Sequence, residues 1–337
     1  MAFGLVRFFH LSNSRSFTIS LEENPQRQSV LSRSPIMFGF IFALSSALLF
    51  AIRPIFVKLA YIEGADPTTL MLLRMAMSAP IYLLLLVFFY YRGRLLSLTP
   101  KLTLSIVIVG LMGYYVASFL DLLGLQYVTA QLGRMILYIY PTLVVVINLL
   151  VLGNKPHRQT YFALAITYSG VLLIFGHDLG AFGVDVIRGA CYIVACAFCF
   201  AIYLVLSKPL MSKIDSLSFT CIALLSASLG IFVHYALVSI DTGLMAPILA
   251  LNTNVYWLAA LIAIFCTVIP TFLTTAAVVN IGADRAAITA MIGPAFTSVF
   301  AVWILSEDYT WFHFAGMLLT IAGIALLDRK ESPKLET

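Results

Sequence analysis

The sequence predicts an all-α integral membrane protein of ten transmembrane helices, arranged as two inverted five-helix repeats. Three observations predict this fold class: the composition, the number of apolar runs, and a set of motifs that recur at one spacing. Of the 337 residues, 61% are hydrophobic and 10% are charged, and the mean hydropathy is +1.01. One soluble core of this size cannot bury so much apolar surface, so the composition indicates a lipid bilayer as the surroundings.

The apolar runs are long enough to cross a bilayer. A helix needs about 20 apolar residues to span a hydrocarbon core of about 30 Å, and charged or turn-rich breaks divide the chain into ten such runs. The predicted spans are 37–59, 67–91, 103–125, 128–152, 159–176, 188–207, 216–240, 255–279, 284–305 and 311–328. Tight turns join the third span to the fourth and the eighth to the ninth, which predicts two antiparallel helical hairpins.

The distribution of basic residues predicts the orientation in the membrane. Of the 20 lysines and arginines, 15 lie in the two termini and in alternate loops on one side, whereas the opposite loops contain only Lys58 and Arg188. The positive-inside rule therefore predicts that both termini are cytoplasmic. We expect a multi-pass protein of the cell membrane, specifically a bacterial inner membrane.

Recurring motifs indicate an internal duplication. FAIRPIFVK, which ends at Lys58, resembles FAIYLVLSK, which ends at Lys208. Pro141 and Gly170 recur as Pro294 and Gly323, with the same spacing from proline to glycine in both copies. Each copy contains five predicted spans, an odd number, so the second copy must cross the membrane in the opposite direction to the first. Two inverted units that enclose a site near the midplane are typical of secondary transporters.

These motifs resemble the EamA family of the drug/metabolite transporter superfamily. ALSSALLFAIRPIFVK resembles the opening of a family unit, and LMLLRMAMSA resembles its second span. PTLVVVINLLVLGNK with YSGVLLIFG, and GPAFTSVFAVWILSED with AGIALLD, resemble the last two spans of the first and second units. The resemblance implies two five-helix units, residues 37–176 and 188–328. It also implies secondary transport, in the direction of export, without a bound cofactor or ATP hydrolysis.

The two units depart from the family pattern in different ways. Asn154 stands where the first unit usually has a glutamate, which Glu307 keeps in the second unit. The arginine of the second span, Arg74, becomes Leu224 in the second unit. The polar residues of the two halves therefore differ.

Four charged residues lie well inside the predicted spans, and all belong to the first unit. They are Arg53, Arg74, Asp121 and Arg134. A charge near the bilayer centre costs roughly 2.5 kcal/mol or more, so such residues are usually paired or line a wet cavity. Because one carboxylate neutralises only part of three guanidinium groups, one hypothesis is a cationic outer vestibule that binds a carboxylate or phosphate. The alternative is a structural network or an outer gate in which Asp121 bridges arginines.

Polar residues also follow one face of the third, fourth and eighth predicted spans. The additional candidates for substrate binding or gating are Tyr114, Ser118, Gln131, Tyr138, Thr271 and Thr274. Such faces either line the substrate path or join neighbouring helices. Prolines inside the spans, such as Pro141 and Pro294, free backbone carbonyls and are either moving or static kinks.

Other functions lack their motifs. The sequence contains no GxxxxGK[ST] loop for nucleotide phosphates and no HExxH for zinc. GHD at 176–178 is expected to be a loop after the fifth predicted span, with no second group of ligands. No nucleic-acid partner is expected, because the basic residues are dispersed in short loops. We therefore prefer a transporter of a small polar or anionic metabolite to an intramembrane enzyme or a membrane scaffold.

Coupling, assembly and the termini are less determined. Asp121 and His234 are the obvious proton carriers within the predicted spans, so protons are a candidate coupling ion. The sequence does not identify the substrate, and it is compatible with a homodimer. We expect residues 1–36, rich in serine and arginine, to be a disordered cytoplasmic extension, with a targeting segment or an upstream start as alternatives. Residues 329–337 are expected to form a cytoplasmic tail.

Overall fold

The computed structural model describes residues 25–93, 95, 98–152, 158–240 and 246–328, and every regular element in them is a helix. Eight helical segments of the described chain are long and apolar enough to cross a membrane. These segments are Ile36–Ile62, Pro67–Tyr91, Pro100–Leu125, Ala130–Ile147, Tyr161–Phe182, Asp185–Met211, Ser216–Val238 and Thr253–Ile281. The last two predicted spans correspond to shorter apolar helices, Gly293–Leu305 and Trp311–Leu326.

The first half of the chain contains eight helices. They are α1 (Pro25–Ala51), α2 (Arg53–Ile62), α3 (Pro67–Tyr91), α4 (Pro100–Gly110), α5 (Ala117–Leu125), α6 (Ala130–Leu137), α7 (Tyr140–Leu152) and α8 (Arg158–Phe182). A π-helical turn, Leu111–Val116, joins α4 to α5. The predicted span 67–91 coincides with α3, whose amino terminus is capped by the Asp66 carboxylate.

The second half follows the same plan. Its helices are α9 (Asp185–Met211), α10 (Ser216–Val238), α11 (Ala246–Leu249), α12 (Thr253–Ala263), α13 (Ile269–Ile281), α14 (Ala283–Ala290), α15 (Gly293–Leu305) and α16 (Trp311–Asp328). A second π-helical turn, Ile264–Val268, joins α12 to α13.

The helix boundaries repeat at the spacing of the sequence motifs. The starts of α4, α6, α7 and α8 are each followed, at the interval that separates Pro141 from Pro294, by the starts of α12, α14, α15 and α16. The first residues of the two π-helical turns, Leu111 and Ile264, are separated by this interval as well. Pro141 and Pro294 lie in the first turns of α7 and α15, where a missing N–H costs no intrahelical hydrogen bond. These four helix starts and the π-helical turn are therefore duplicated.

One interruption belongs to the first half alone. The helices α1 and α2 are separated at Ile52, and Pro54 lies in the first turn of α2. Proline lacks the N–H that would continue α1, and its ring clashes with the preceding turn. The equivalent helix of the second half, α9, has no proline here and runs unbroken. The break places Arg53 at the first position of a new helix.

The helices α8 and α16 cross at their glycines. A Cβ atom on Gly170 would lie 2.5 Å from the Gly316 carbonyl oxygen and 2.5 Å from Thr320 Oγ1. A Cβ atom on Gly323 would meet Thr167 in the same way. Gly170 therefore contacts residues 316 and 320, whereas the earlier residue Thr167 contacts the later residue Gly323. The two helices are antiparallel. Only glycine permits this approach.

The described surface exposes large apolar side chains. Trp303, Trp311 and Val279 are 83%, 79% and 80% exposed. Soluble proteins rarely expose many large apolar groups over a wide area, whereas lipid-facing helices do so as a rule. The surface therefore agrees with the composition.

Helix α1 begins earlier than the first predicted span. It starts at Pro25, so residues 25–36, which we expected to be disordered, are helical in the structure. The rest of the expected extension, residues 1–24, and the expected tail, residues 329–337, lie outside the described residues.

Helix α8 extends beyond the fifth predicted span. It continues to Phe182, so GHD at 176–178 lies in a helix and not in the loop that we predicted. Gly176, His177, Asp178 and Gly180 interrupt the periodic pattern of apolar residues by which a helix is recognised in a sequence. Packing against α16 stabilises this end, and single-helix periodicity does not report such packing.

We expect Gly170→Ala to destabilise the fold by about 1–3 kcal/mol, because the added methyl group overlaps the backbone of α16. Gly180→Ala is the matched control, since its Cβ would meet no atom within 4 Å. The control should leave stability unchanged or raise it by up to about 1 kcal/mol. Thermal unfolding of the purified protein in detergent measures both changes. Equal unfolding temperatures for the two variants would contradict the close crossing.

Candidate functional site

Arg53 and Asp121 form an ion pair between α2 and α5. Arg53 Nη2 lies 3.1 Å from Asp121 Oδ2, and the two side chains are 17% and 11% exposed. The contact has the distance of an ion pair but not the angle of a hydrogen bond, since Arg53 Nη2 and Nε have no hydrogen-bond partner among the described residues. Asp121 therefore joins two helices of the first half.

Arg74 lies near the start of α3 and is 3% exposed. Its guanidinium group interacts electrostatically with both Arg53 and Asp121, so one carboxylate faces two cations. In the described part of the chain, Nε and Nη2 of Arg74 have no hydrogen-bond partner. A buried cation in this state is costly. The position favours an additional anion.

Arg134 and Tyr138 lie where α6 ends. The Arg134 guanidinium carbon is 5.5 Å from the centroid of the Tyr138 ring, and the Tyr138 hydroxyl donates a hydrogen bond to the Ala290 carbonyl oxygen at 3.0 Å. Both side chains lie against Gly293. The break between α6 and α7 in one half therefore contacts the break between α14 and α15 in the other.

The second π-helical turn brings Cys266 to the arginines. This buried thiol interacts electrostatically with Arg53, Arg74 and Arg134. The three arginines that the sequence analysis singled out therefore all act on one residue of the second half, and Asp121 joins them through its ion pair with Arg53. We call Arg53, Arg74, Asp121 and Arg134 the arginine cluster. Sequence reasoning missed Cys266 because a cysteine in an apolar run resembles an ordinary packing residue.

Tyr114 contacts Tyr203, a residue of α9 in the second half. Its hydroxyl accepts a hydrogen bond of 3.0 Å from the Tyr203 hydroxyl, and the two rings meet edge to face with centroids 5.1 Å apart. Tyr203 packs against Gly113, where a Cβ atom would not fit. Ser118, one turn after Tyr114, is half-buried. Tyr114 therefore contributes to the contact between the two halves.

The candidate threonines of α13 form hydrogen bonds to the preceding π-helical turn and to α1. Thr271 donates to the Thr267 carbonyl oxygen at 2.6 Å, one turn earlier. Thr274 is exposed, and its hydroxyl lies 2.7 Å from the hydroxyl of Ser46 in α1. Thr274 therefore joins α13 to α1.

Two glutamates tie one end of the bundle together. Glu307 accepts hydrogen bonds from the backbone N–H groups of Ala130 at 2.7 Å and Gln131 at 3.4 Å, and so caps the start of α6. Glu63 accepts from the amide groups of Asn252 at 2.6 Å and Asn254 at 3.0 Å. Each glutamate binds residues of the other half. Sequence reasoning identified Glu307 only as a residue typical of the family.

Gln131 belongs to the same end and not to an open path. Its side chain is 1% exposed, and Nε2 donates to the Asp308 carbonyl oxygen at 3.2 Å. Its Oε1 atom is buried without a hydrogen-bond partner in the described chain. The helix break at Tyr138 also interrupts the single polar face that we predicted for the fourth span.

The two expected proton carriers lie in different surroundings. Asp121 pairs with Arg53, whereas the His234 ring lies 4.9 Å from the Phe119 ring, centroid to centroid. His234 also lines a groove of about 840 Å³ between the first π-helical turn and α10, which is formed mainly by apolar side chains. None of the ten candidate residues lines this groove. Because a polar solute needs convergent polar groups, we place the candidate site at the arginine cluster.

Comparison with known proteins identifies the family. The EamA-like transporter family matches residues 37–176 and again residues 187–328. The chain belongs to the EamA-like transporter family. Both halves of this EamA-like protein are copies of the family domain.

The relatives agree with this assignment. A protein of Bacillus subtilis (strain 168) named uncharacterized transporter YcbK is 30% identical over 271 residues, which are 80% of this chain and 86% of the relative. An uncharacterized transporter of Archaeoglobus fulgidus is 25% identical over 280 residues, 82% of this chain and 92% of the relative. The EamA-like protein is therefore an integral membrane transporter of small molecules.

A solved crystal structure has a similar fold. The TM-score is 0.56 at 16% sequence identity, and the match covers 87% of this chain and 96% of the solved one. The likeness at this identity concerns the fold alone.

We expect Asp121→Asn to destabilise the protein by about 3 kcal/mol, because it leaves Arg53 and Arg74 in the interior without their carboxylate. The double variant Arg53→Gln/Asp121→Asn should be more stable than Asp121→Asn, since it removes the unpaired charge together with its partner. Thermal unfolding in detergent measures both variants. Additive losses in the double variant would show that the two residues are not coupled.

Proposed function

We propose that this EamA-like protein moves a small anionic or polar metabolite across the cell membrane by alternating access. The excess of guanidinium groups over carboxylates in the arginine cluster carries the proposal. Within the described core, Arg53 and Arg74 share the carboxylate of Asp121, Arg134 has none beside it, and two nitrogen atoms of the buried Arg74 lack partners. A carboxylate or phosphate accepts such N–H groups in strong, charge-assisted hydrogen bonds.

We propose ten spans in two inverted units, with both termini in the cytoplasm. The break between α14 and α15 makes these two helices together the ninth span, and α16 is the tenth. The duplicated helix starts support this topology, as do the reciprocal, antiparallel contacts of α8 and α16. Helix packing supports it as well, because α5 packs on α9 as α13 packs on α1. The basic residues support the orientation.

The location of the arginine cluster suits alternating access. The residues of the cluster belong to α2, α3, α5 and α6 of the first half, and α3 packs on the π-helical turn of the second half. π-Helical turns and proline breaks are frequent at functional sites and provide hinges. The hydrogen bonds of Glu63 and Glu307 join the two halves at one end of the bundle, which faces the outside in the proposed orientation. This conformation therefore corresponds to one that is closed to the outside.

We expect Arg74→Gln to weaken binding of an anionic ligand by about 10- to 100-fold, since a hydrogen bond to a charged group contributes about 1.5–3 kcal/mol. The ligand is found by thermal shift of the purified protein with amino acids, organic acids, sugar phosphates and nucleotides. Arg92→Gln, a substitution of an exposed arginine beside Phe88, is the matched control and should bind as the wild type does. Arg53→Gln and Arg134→Gln should behave like Arg74→Gln.

The stability of the unliganded Arg74→Gln variant separates binding from a structural role. If Arg74 serves a ligand, removal of its unpaired buried charge leaves the unliganded protein as stable as the wild type or more stable. A lower unfolding temperature, with unchanged anion affinity, would refute the proposed site.

We expect that a link between the halves at Glu63 and Asn252 stops transport. Cysteines at these positions are joined with a short, reversible bis-methanethiosulfonate reagent, and solute flux is measured in proteoliposomes. Flux should stop on linking and return on reduction, because the closed end can no longer open. The wild type and each single cysteine variant, treated alike, control for the five native cysteines. Mass spectrometry shows what fraction of the protein is linked. Full flux through linked protein would rule out alternating access at this end.

The same vesicles test the direction and coupling that we propose, export driven by protons. Flux is compared between the two protein orientations, with and without an imposed pH gradient. Transport that is indifferent to the gradient would exclude protons as the coupling ion.

A further inference from the structure

Two histidines and one aspartate converge where α8 and α16 meet. His177 Nδ1 lies 3.2 Å and His313 Nε2 lies 3.3 Å from Asp178 Oδ1. The three potential ligand atoms all lie within 4.8 Å of one another. Asp178 is 0% exposed and His313 is 3% exposed. The sequence analysis found no second ligand beside GHD because His313 belongs to the other half, and only the antiparallel packing of α8 and α16 brings it there.

We propose that His177, Asp178 and His313 form a binding site for a divalent transition metal, with Zn²⁺ the best match to two imidazoles and one carboxylate. In a tetrahedral Zn²⁺ site with ligand bonds of about 2.0–2.1 Å, neighbouring ligand atoms are about 3.3–3.4 Å apart. Both separations at Asp178 Oδ1 are close to this value. Three protein ligands leave the fourth position to water or a solute.

Two threonines orient the ligands. Thr129 Oγ1 donates to Asp178 Oδ2 at 2.8 Å, which leaves Oδ1 for the metal. The Thr310 N–H donates to His313 Nδ1 at 3.3 Å, and Thr310 Oγ1 lies 2.9 Å from the same nitrogen. In this arrangement Nδ1 accepts and Nε2 carries the proton that faces Asp178 Oδ1. Metal binding at Nε2 would move the proton to Nδ1, where the Thr310 hydroxyl oxygen would accept it in place of the N–H bond. Such outer contacts fix the tautomer and the ring orientation of metal-binding histidines.

The surrounding charge favours a cation. Lys58 interacts electrostatically with Asp178 and Glu307. Asp178, Glu307 and Lys58 together therefore carry a net formal charge of −1 when the imidazoles are neutral. The His177 side chain is 22% exposed and leaves a route for an ion from the solvent. Lys58 belongs to this polar group.

The site joins the two halves of the transporter. His177 and Asp178 belong to α8, whereas His313 belongs to α16. A bound metal therefore stabilises the contact between these helices beyond their glycine crossing. Since a ligand that binds only the folded protein raises its stability in proportion to the logarithm of ligand excess, Zn²⁺ should raise the unfolding temperature.

Metal titration of the purified full-length protein tests the site. The protein, free of any affinity tag and treated with a chelator, is titrated with Zn²⁺ by calorimetry and with Co²⁺ by visible absorption. We expect one ion per chain, with the absorption of tetrahedral Co²⁺ and a higher unfolding temperature in Zn²⁺. His313→Gln and Asp178→Asn should each weaken binding by about 100-fold or more, and Thr129→Val by about 10-fold.

His234→Gln is the matched control, because it removes a histidine that lines the groove beside α10 and should leave metal affinity unchanged. His177→Gln keeps the test valid if the buried variants fail to fold, since its side chain is partly exposed. A wild type that binds no stoichiometric metal would overturn the proposal and leave a hydrogen-bonded Asp–His network in its place. Equal affinity in His313→Gln and the wild type would overturn it as well. Both readouts are independent of transport, so a failure of the transport proposal leaves this test intact.

Discussion

The need to satisfy every backbone carbonyl away from water governs this structure. In lipid, a helix can be interrupted only where other groups of the protein bind the carbonyls that it frees. The hydroxyl of Thr297 donates to the carbonyl oxygen of Ala51 at the break between α1 and α2, at 2.9 Å. Ser46 donates to the carbonyl oxygen of Pro270 next to the second π-helical turn, at 3.1 Å. In both cases the donor comes from the other half, so these two interruptions are confined to the contact between the halves.

This confinement also explains where the charges lie. Interrupted helices create the polar interior that a guanidinium group requires, and Arg53 occupies the first position after one such break. The equivalent position in the second half has no proline and carries Tyr203, which bonds to another tyrosine instead of a carboxylate. Asp121 has the uncharged Thr274 as its counterpart. One duplicated scaffold therefore supports two different sets of polar contacts.

The sequence predicted the scaffold better than the contacts. The span 67–91 and the constant interval between the two copies follow from apolar length and from duplicated motifs, which are local properties of the chain. The breaks near Tyr138 and its counterpart were predicted only as proline kinks, because the partners of their carbonyls lie in the other half. The arginine cluster was predictable since each charge in an apolar run is conspicuous. The approach of His313 to Asp178 depends on helix packing that no single segment encodes.

The contacts between the halves differ in how easily they break, and this difference limits which parts can move. The bonds of Glu63 to Asn252 and Asn254 are exposed, so water replaces them at a net cost of about 0.5–1.5 kcal/mol each. Gly170 packs against the backbone of α16, and Gly323 packs against the backbone of α8. These two helices cannot slide along each other without atomic overlap. Under the proposed alternating access, α8 and α16 would therefore form the fixed axis, and the interrupted helices around the arginine cluster would be the parts that rearrange. A metal at His177, Asp178 and His313 would then stabilise the axis and leave the rearrangement free.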